Sequence, residues 1–99
     1  QLVSKGNLSS YHLFTIEVKE KRFSRDKLFS FLKDNQIASQ VHYIPLYKHP
    51  IYKKFGFSDD YCKNAETYFG SCLSIPLHQK LDEDDLNYVV EHIEKFLDS

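Results

Sequence analysis

Pro45 and Pro50 stand in the most ring-rich stretch of the chain, QVHYIPLYKHPIYKKFGF, residues 40–57. A proline gives no N–H to a sheet ladder and breaks a helix interior, so this stretch cannot be one long strand or one long helix. It has to be an irregular arm. Yet it carries Tyr43, Tyr47, Tyr52, Phe55 and Phe57, His42 and His49, and three lysines with no acid. Irregular backbone needs apolar anchors, and tyrosine offers area with a polar tip. Two readings stay open from these residues. The rings pin the arm to the domain, or they form a surface that stacks on a sugar, a base or a partner protein.

The segments around the arm have clearer periods. Residues 9–18 alternate as a strand, with Phe14, Ile16 and Val18 on one face and Tyr11, Leu13, Thr15 and Glu17 on the other. Ser24 is placed to cap a helix running to about Asn35, whose stripe is Leu28, Phe31 and Leu32. Residues 38–44 read as a second strand, ended by Pro45. Asp59 or Asp60 is expected to cap a helix with Tyr61, Ala65, Tyr68 and Cys72 on one stripe. Residues 73–78, LSIPLH, read as a third strand cut by Pro76. Asp82 is expected to cap the last helix, with Glu83, Asp84 and Asp85 opposing its dipole and Leu86, Val89, Val90, Ile93 and Leu97 as its apolar face. The order β-α-β-loop-α-β-α predicts an α+β domain with a small, mostly antiparallel sheet and packed helices.

With 99 residues, 41% hydrophobic and 15% aromatic, the chain suits one domain with a modest core and is too apolar for disorder. A net charge of −1 gives no general attraction to nucleic acid or anionic membrane. No apolar run nears the roughly 20 residues of a membrane helix, and QLVSKGNLSS lacks a signal peptide's apolar centre. There is no methionine, so the chain is expected to be a piece of a longer protein, with residues 1–9 a linker remnant and 10–99 the domain. Cys62 and Cys72 fit no zinc spacing, and one intact helix would hold them too far apart to bridge. Free thiols in a reducing, cytoplasmic compartment are expected.

The histidines, at 12, 42, 49, 78 and 92, form no i+2 or i+4 pair, so no metal site is expected. His92, beside Glu91, is expected to be solvated, and His12 to be bonded within a sheet. His42 differs: it ends a strand just before a proline break, where scaffolds present functional groups. It can bond a substrate hydroxyl or phosphate, or anchor the arm through backbone carbonyls. No nucleophile stands beside a base, no glycine-rich phosphate loop exists, and the run Asp82, Glu83, Asp84, Asp85 is a helix start. By its own residues the chain is not a complete enzyme.

Five segments in this order, SSYHLFTI, SRDKLFSFLKDNQI, QVHYIPLYKHPIYKKFGF, NAETYFGSCLSIPLH and LDEDDLNYVVEHI, resemble the C-terminal domain of the DegT/DnrJ/StrS sugar aminotransferases. These are fold-type I enzymes that use pyridoxal phosphate (PLP). The run QVHYIPLY followed by P-x-Y and GF is most similar to the branch that serves pseudaminic-acid biosynthesis. The resemblance implies a small C-terminal domain of a larger, homodimeric enzyme that moves an amino group from glutamate to C4 of a UDP-linked 4-keto-6-deoxy sugar. It implies that PLP is bound by a large domain and not by these residues. A relative that dehydrates instead fits the same segments. The resemblance places His42 and Tyr43, and with them Tyr47 and Tyr52, on the substrate side, with Pro76 and His78 structural. The competing reading is a free-standing α+β module that binds carbohydrate or protein through the arm.

Overall fold

The computed structural model describes residues 2–99; Gln1, in the expected linker, lies outside them. The elements are β1 (Phe14–Glu17), α1 (Arg25–Asp34), a 3-10 turn (Leu46–Lys48), α2 (Pro50–Lys53), α3 (Lys63–Ser71), β2 (Cys72–Ile75) and α4 (Glu83–Asp98). The two strands pair antiparallel, with Thr15 opposite Ser74 and Ile16 opposite Leu73. The expected α+β class with an antiparallel sheet is the one found. Strand alternation puts Ile16 and Leu73 on the face toward the helices and Thr15 and Ser74 on the other. The core under the first face is Leu28, Leu32, Ile37, Leu73, Val89 and Phe96.

Helix α1 starts where Ser24 takes extended dihedrals and its hydroxyl accepts from the Lys27 N–H at 3.2 Å. It ends through a Schellman turn. Gln36 adopts φ +61°, its N–H donates to Lys33 O, and the Ile37 N–H reaches back to Leu32 O at 2.9 Å. The turn delivers Ile37 into the core, where it is buried. Helix α4 has a full capping box: the Asp85 N–H donates to Asp82 Oδ1 at 2.8 Å, and the Asp82 N–H donates to Asp85 Oδ2 at 3.2 Å.

The core face of α4 differs from the expected one. Val89, His92 and Phe96 are buried, whereas Leu86, Val90 and Leu97 are exposed. Phe96 packs on Phe31 at 5.5 Å and on Phe23 at 5.1 Å between ring centroids. His92, expected in solvent, is 7% exposed. Its Nδ1 lies 2.7 Å from Tyr88 O, and its ring lies 4.1 Å from that of Tyr88. Residues 89, 92 and 96 share one side of a 3.6-residue helix, and this phase outweighs the charge of neighbouring Glu91.

Three other expectations are corrected. Strand β1 is shorter than residues 9–18, because Tyr11 sits at φ +48°, outside extended backbone. His12 therefore precedes the ladder and is exposed. The strand expected at 38–44 reduces to a single bridge between Gln40 and Ser74; beyond it the backbone leaves the sheet edge for the Pro45 turn. Helix α3 begins at Lys63, with Cys62 rather than Asp59 or Asp60 at the cap. Tyr61 thus lies outside the helix, and Cys72 opens β2.

Pro45 precedes the 3-10 turn and Pro50 is the first residue of α2, a place where its missing N–H costs nothing. Gly56, at φ +87°, follows the α2 turn. The chain's radius of gyration is 15.9 Å, against about 13 Å for a compact domain of this length.

Candidate functional site

Ser74 is the meeting point of three segments. Its backbone N–H donates to Gln40 O at 2.8 Å, and its carbonyl accepts from the Gln40 N–H at 3.0 Å. Cross-strand pairing sets it opposite Thr15. Its hydroxyl, on a buried residue, lies 3.1 Å from Thr15 Oγ1 and 2.9 Å from His42 Nδ1. Thus the Gln40 bridge lays residue 42 across the outer face of β2, and a lone hydroxyl in an otherwise apolar strand holds the imidazole.

The His42 ring is half-buried and lies 4.5 Å from the ring of Tyr43. Tyr43 is 71% exposed. The peptide bond between them is cis. Among the described residues His42 Nε2 has no hydrogen-bond partner, so a fixed imidazole keeps one nitrogen available beside an exposed phenol. His42 also lines a cleft of about 220 Å³ with His12, Ser39, Gln40, Ser74 and Leu77. Ser39 Oγ is buried at this cleft and has no hydrogen-bond partner.

Tyr47 and Tyr52 lie elsewhere. The Tyr47 hydroxyl donates to Cys62 O and to Glu66 Oε2, both at 3.1 Å. Partial burial, and then the Glu66 carboxylate, push its phenol above the ordinary value. Lys48 Nζ pairs with the other Glu66 oxygen. Phe57 and Tyr61 pack edge-on at 4.8 Å, and Tyr61 lies 5.9 Å from Tyr47. This cluster moors the arm to α3. Tyr52 is on α2 and exposed. Tyr43, Ile44, Leu46, Ile51 and Phe55 are exposed as well. Pinning therefore accounts for Tyr47 and Phe57, whereas Tyr43, Tyr52 and Phe55 are open to solvent.

The sheet face under His42 is braced from within. Arg25 Nη1 donates to Phe69 O at 3.1 Å and to Cys72 O at 3.3 Å, tying α1 to the junction of α3 and β2. Cys72 is fully buried, and burial pushes its thiol up despite Arg25. Sequence reading singled out His42 and Tyr43 but missed Ser74, Thr15 and Glu66. Ser74 had a signal: a single hydroxyl among Cys72, Leu73, Ile75 and Pro76 needs a partner.

The profile of the DegT/DnrJ/EryC1/StrS aminotransferase family matches residues 2–94. The chain belongs to this family. It is 35% identical over 88 residues to a spore coat polysaccharide biosynthesis protein of Bacillus subtilis, covering 85% of this chain and 23% of the relative. It is 30% identical over 92 residues to a UDP-4-amino-4,6-dideoxy-N-acetyl-beta-L-altrosamine transaminase of Helicobacter pylori, covering 92% and 24%. A solved putative sugar aminotransferase from Streptococcus pneumoniae superposes with a TM-score of 0.77 at 33% identity, covering 85% of this chain and 21% of that one. The chain thus spans about a quarter of the length of its curated relatives.

The same Streptococcus pneumoniae protein was solved in a PMP form, and the family implies PLP. The cleft at His42 does not itself supply the lysine that would hold that cofactor. Lys48 is tied to Glu66, Lys19 to Glu17 at 2.8 Å and Lys53 to Asp59 at 3.0 Å. The cleft at His42 contains no lysine. Among the described residues no group of three metal-ligating side chains exists, and no helix is long and apolar enough to cross a membrane.

Proposed function

We propose that this chain forms the substrate-side wall of a PLP-dependent nucleotide-sugar aminotransferase. The observation that carries the reading is the His42–Tyr43 pair: an imidazole fixed by Ser74 at 2.9 Å, packed at a tilt against a phenol that is open to solvent. Fixed polar groups next to exposed aromatic surface suit a sugar or a nucleotide, whose hydroxyls and phosphates need directional bonds and whose apolar faces need rings. In this proposal PLP is held by other parts of the whole protein, His42 and Tyr43 face the sugar nucleotide, and Tyr52 contributes at the arm's exposed edge. Tyr47 holds the arm in place through α3.

The finer substrate assignment belongs to the same proposal. It is the transfer of an amino group from glutamate to a UDP-linked 4-keto-6-deoxy-N-acetylhexosamine, in a cytoplasmic homodimer that supplies cell-surface glycan synthesis. Support comes from the Helicobacter pylori relative and from two Campylobacter jejuni relatives of the same name, 32% identical over 91 residues. A further relative, from Shigella dysenteriae, is named a dTDP-4-amino-4,6-dideoxy-D-glucose transaminase, so the nucleotide is a point to test. The whole protein is to be incubated with glutamate and with UDP- or dTDP-4-keto-6-deoxy sugars. Formation of 2-oxoglutarate and a 4-amino sugar is expected with the UDP substrate. Loss of water from the sugar without amino transfer would place the chain with the dehydrating relatives. Glycan binding with neither reaction would favour a binding module.

A further inference from the structure

Residues 43–46 form a strap whose hold on the domain lies at its two ends. Among the described residues Tyr43 and Ile44 make no hydrogen bond, and the side chains of Tyr43, Ile44 and Leu46 are exposed. At the first end, Gln40 exchanges both backbone bonds with Ser74. The Ser74 hydroxyl lies 2.9 Å from His42 Nδ1, and the buried Cys72 thiol lies 4.0 Å from the His42 carbonyl. At the second end, Glu66 takes both donors of the 3-10 turn: Tyr47 OH at 3.1 Å on Oε2, and Lys48 Nζ on Oε1. Both ends rest on one piece of chain, because α3 passes into β2 between Ser71 and Cys72 with no loop. Arg25 braces that junction through the Phe69 and Cys72 carbonyls. Arg25 and Lys48 also both lie against the Phe69 ring, at 5.5 Å and 5.6 Å from its centre, so the brace and the second mount meet there.

We propose that Glu66 is a positioning residue for the sugar site. By holding Tyr47 and Lys48 it fixes the far end of the strap, and so fixes where the exposed Tyr43 ring stands beside His42. Pro45, with φ at −54°, limits how so short a strap can take up slack. Glu66 acts on the site only through the strap and touches no ligand. The inference rests on the reading of His42 and Tyr43 as facing the sugar nucleotide. It gives a reason for a carboxylate on α3 that carries no chemistry of its own.

The whole protein tests this through two readouts: amide hydrogen exchange, and kinetics with a UDP-linked 4-keto-6-deoxy-N-acetylhexosamine and with glutamate. In Glu66→Ala, residues 43–48 are expected to exchange faster while residues 72–75 exchange as in wild type. The KM for the sugar nucleotide is expected to rise about threefold, the worth of a partly exposed ion pair, with the glutamate half-reaction unchanged. Glu66→Gln keeps an acceptor for Tyr47 and is expected to lie between wild type and Glu66→Ala in both readouts. Tyr47→Phe breaks the same mount from the arm side and decides the matter if Glu66→Ala does not fold. Unchanged exchange at 43–48 in Glu66→Ala and Tyr47→Phe overturns the mount, as does equal slowing of both half-reactions. Faster exchange with an unchanged sugar KM overturns the role of Glu66 if His42→Ala still raises that KM. If His42→Ala leaves it unchanged as well, the reading of the site as substrate-facing falls instead.

Discussion

Gln36 carries the left-handed conformation that ends α1, at φ +61°, where a Cβ is strained and glycine is not. Gln36→Gly is expected to raise stability by about 0.5–1 kcal/mol, read as a higher urea midpoint with an unchanged slope. The two thiols give a second check at this scale. Cys62 is exposed and Cys72 buried, so a bulky thiol reagent is expected to modify one cysteine in the native protein and both after denaturation. Legibility varied at this scale. Ser24 and Asp82 announced themselves as caps by residue type and by the apolar period that follows them. His42 was visible as an imidazole at a proline break, but its partners Ser74 and Thr15 were not, since contacts over 32 and 59 residues depend on pairing that no local pattern states. His92 was misread because its acidic neighbour was weighed above the helical phase.

Elements with strong internal periods and side-chain caps were legible; elements defined by a neighbour were not. Helices α1 and α4 start within a residue of their expected places because Ser24 and Asp82 each accept a backbone N–H. Helix α3 was misplaced because its N-cap residue, Cys62, makes no side-chain cap bond. The stretch 38–44 alternates as a strand does, yet alternation says only which side chains share a face; it cannot supply a ladder partner. Asp82→Ala is expected to cost about 1 kcal/mol by removing one capping bond of α4. Phe96→Ala is expected to cost about 3 kcal/mol, toward the lower end for a buried ring because Phe96 keeps some exposure. Thermal unfolding of the two variants checks both, and the larger fall belongs to Phe96.

At the scale of the whole molecule, the sheet and the α1–α4 pair make a base, and Tyr47, Lys48 and Glu66 moor the arm to α3. Base and arm respond to pH in the same direction. Burial raises the Cys72 thiol and the Tyr47 phenol above their ordinary values of 9.0 and 10.0, so folding favours their protonated forms. That contribution is complete below the unfolded values and is lost as pH rises past them. The melting temperature is therefore expected to fall from pH 8 to pH 10.5, less steeply in Cys72→Ala; an equal slope in both would remove Cys72 as a cause. In the proposed function, His42 and Tyr43 face the sugar nucleotide. Single-turnover kinetics of the two half-reactions in the whole protein address it directly. His42→Ala is expected to slow the half-reaction with the keto sugar about tenfold more than the half-reaction with glutamate, the worth of a bond to a charged or strongly polar group. Equal slowing of both halves, or of neither, would contradict the account.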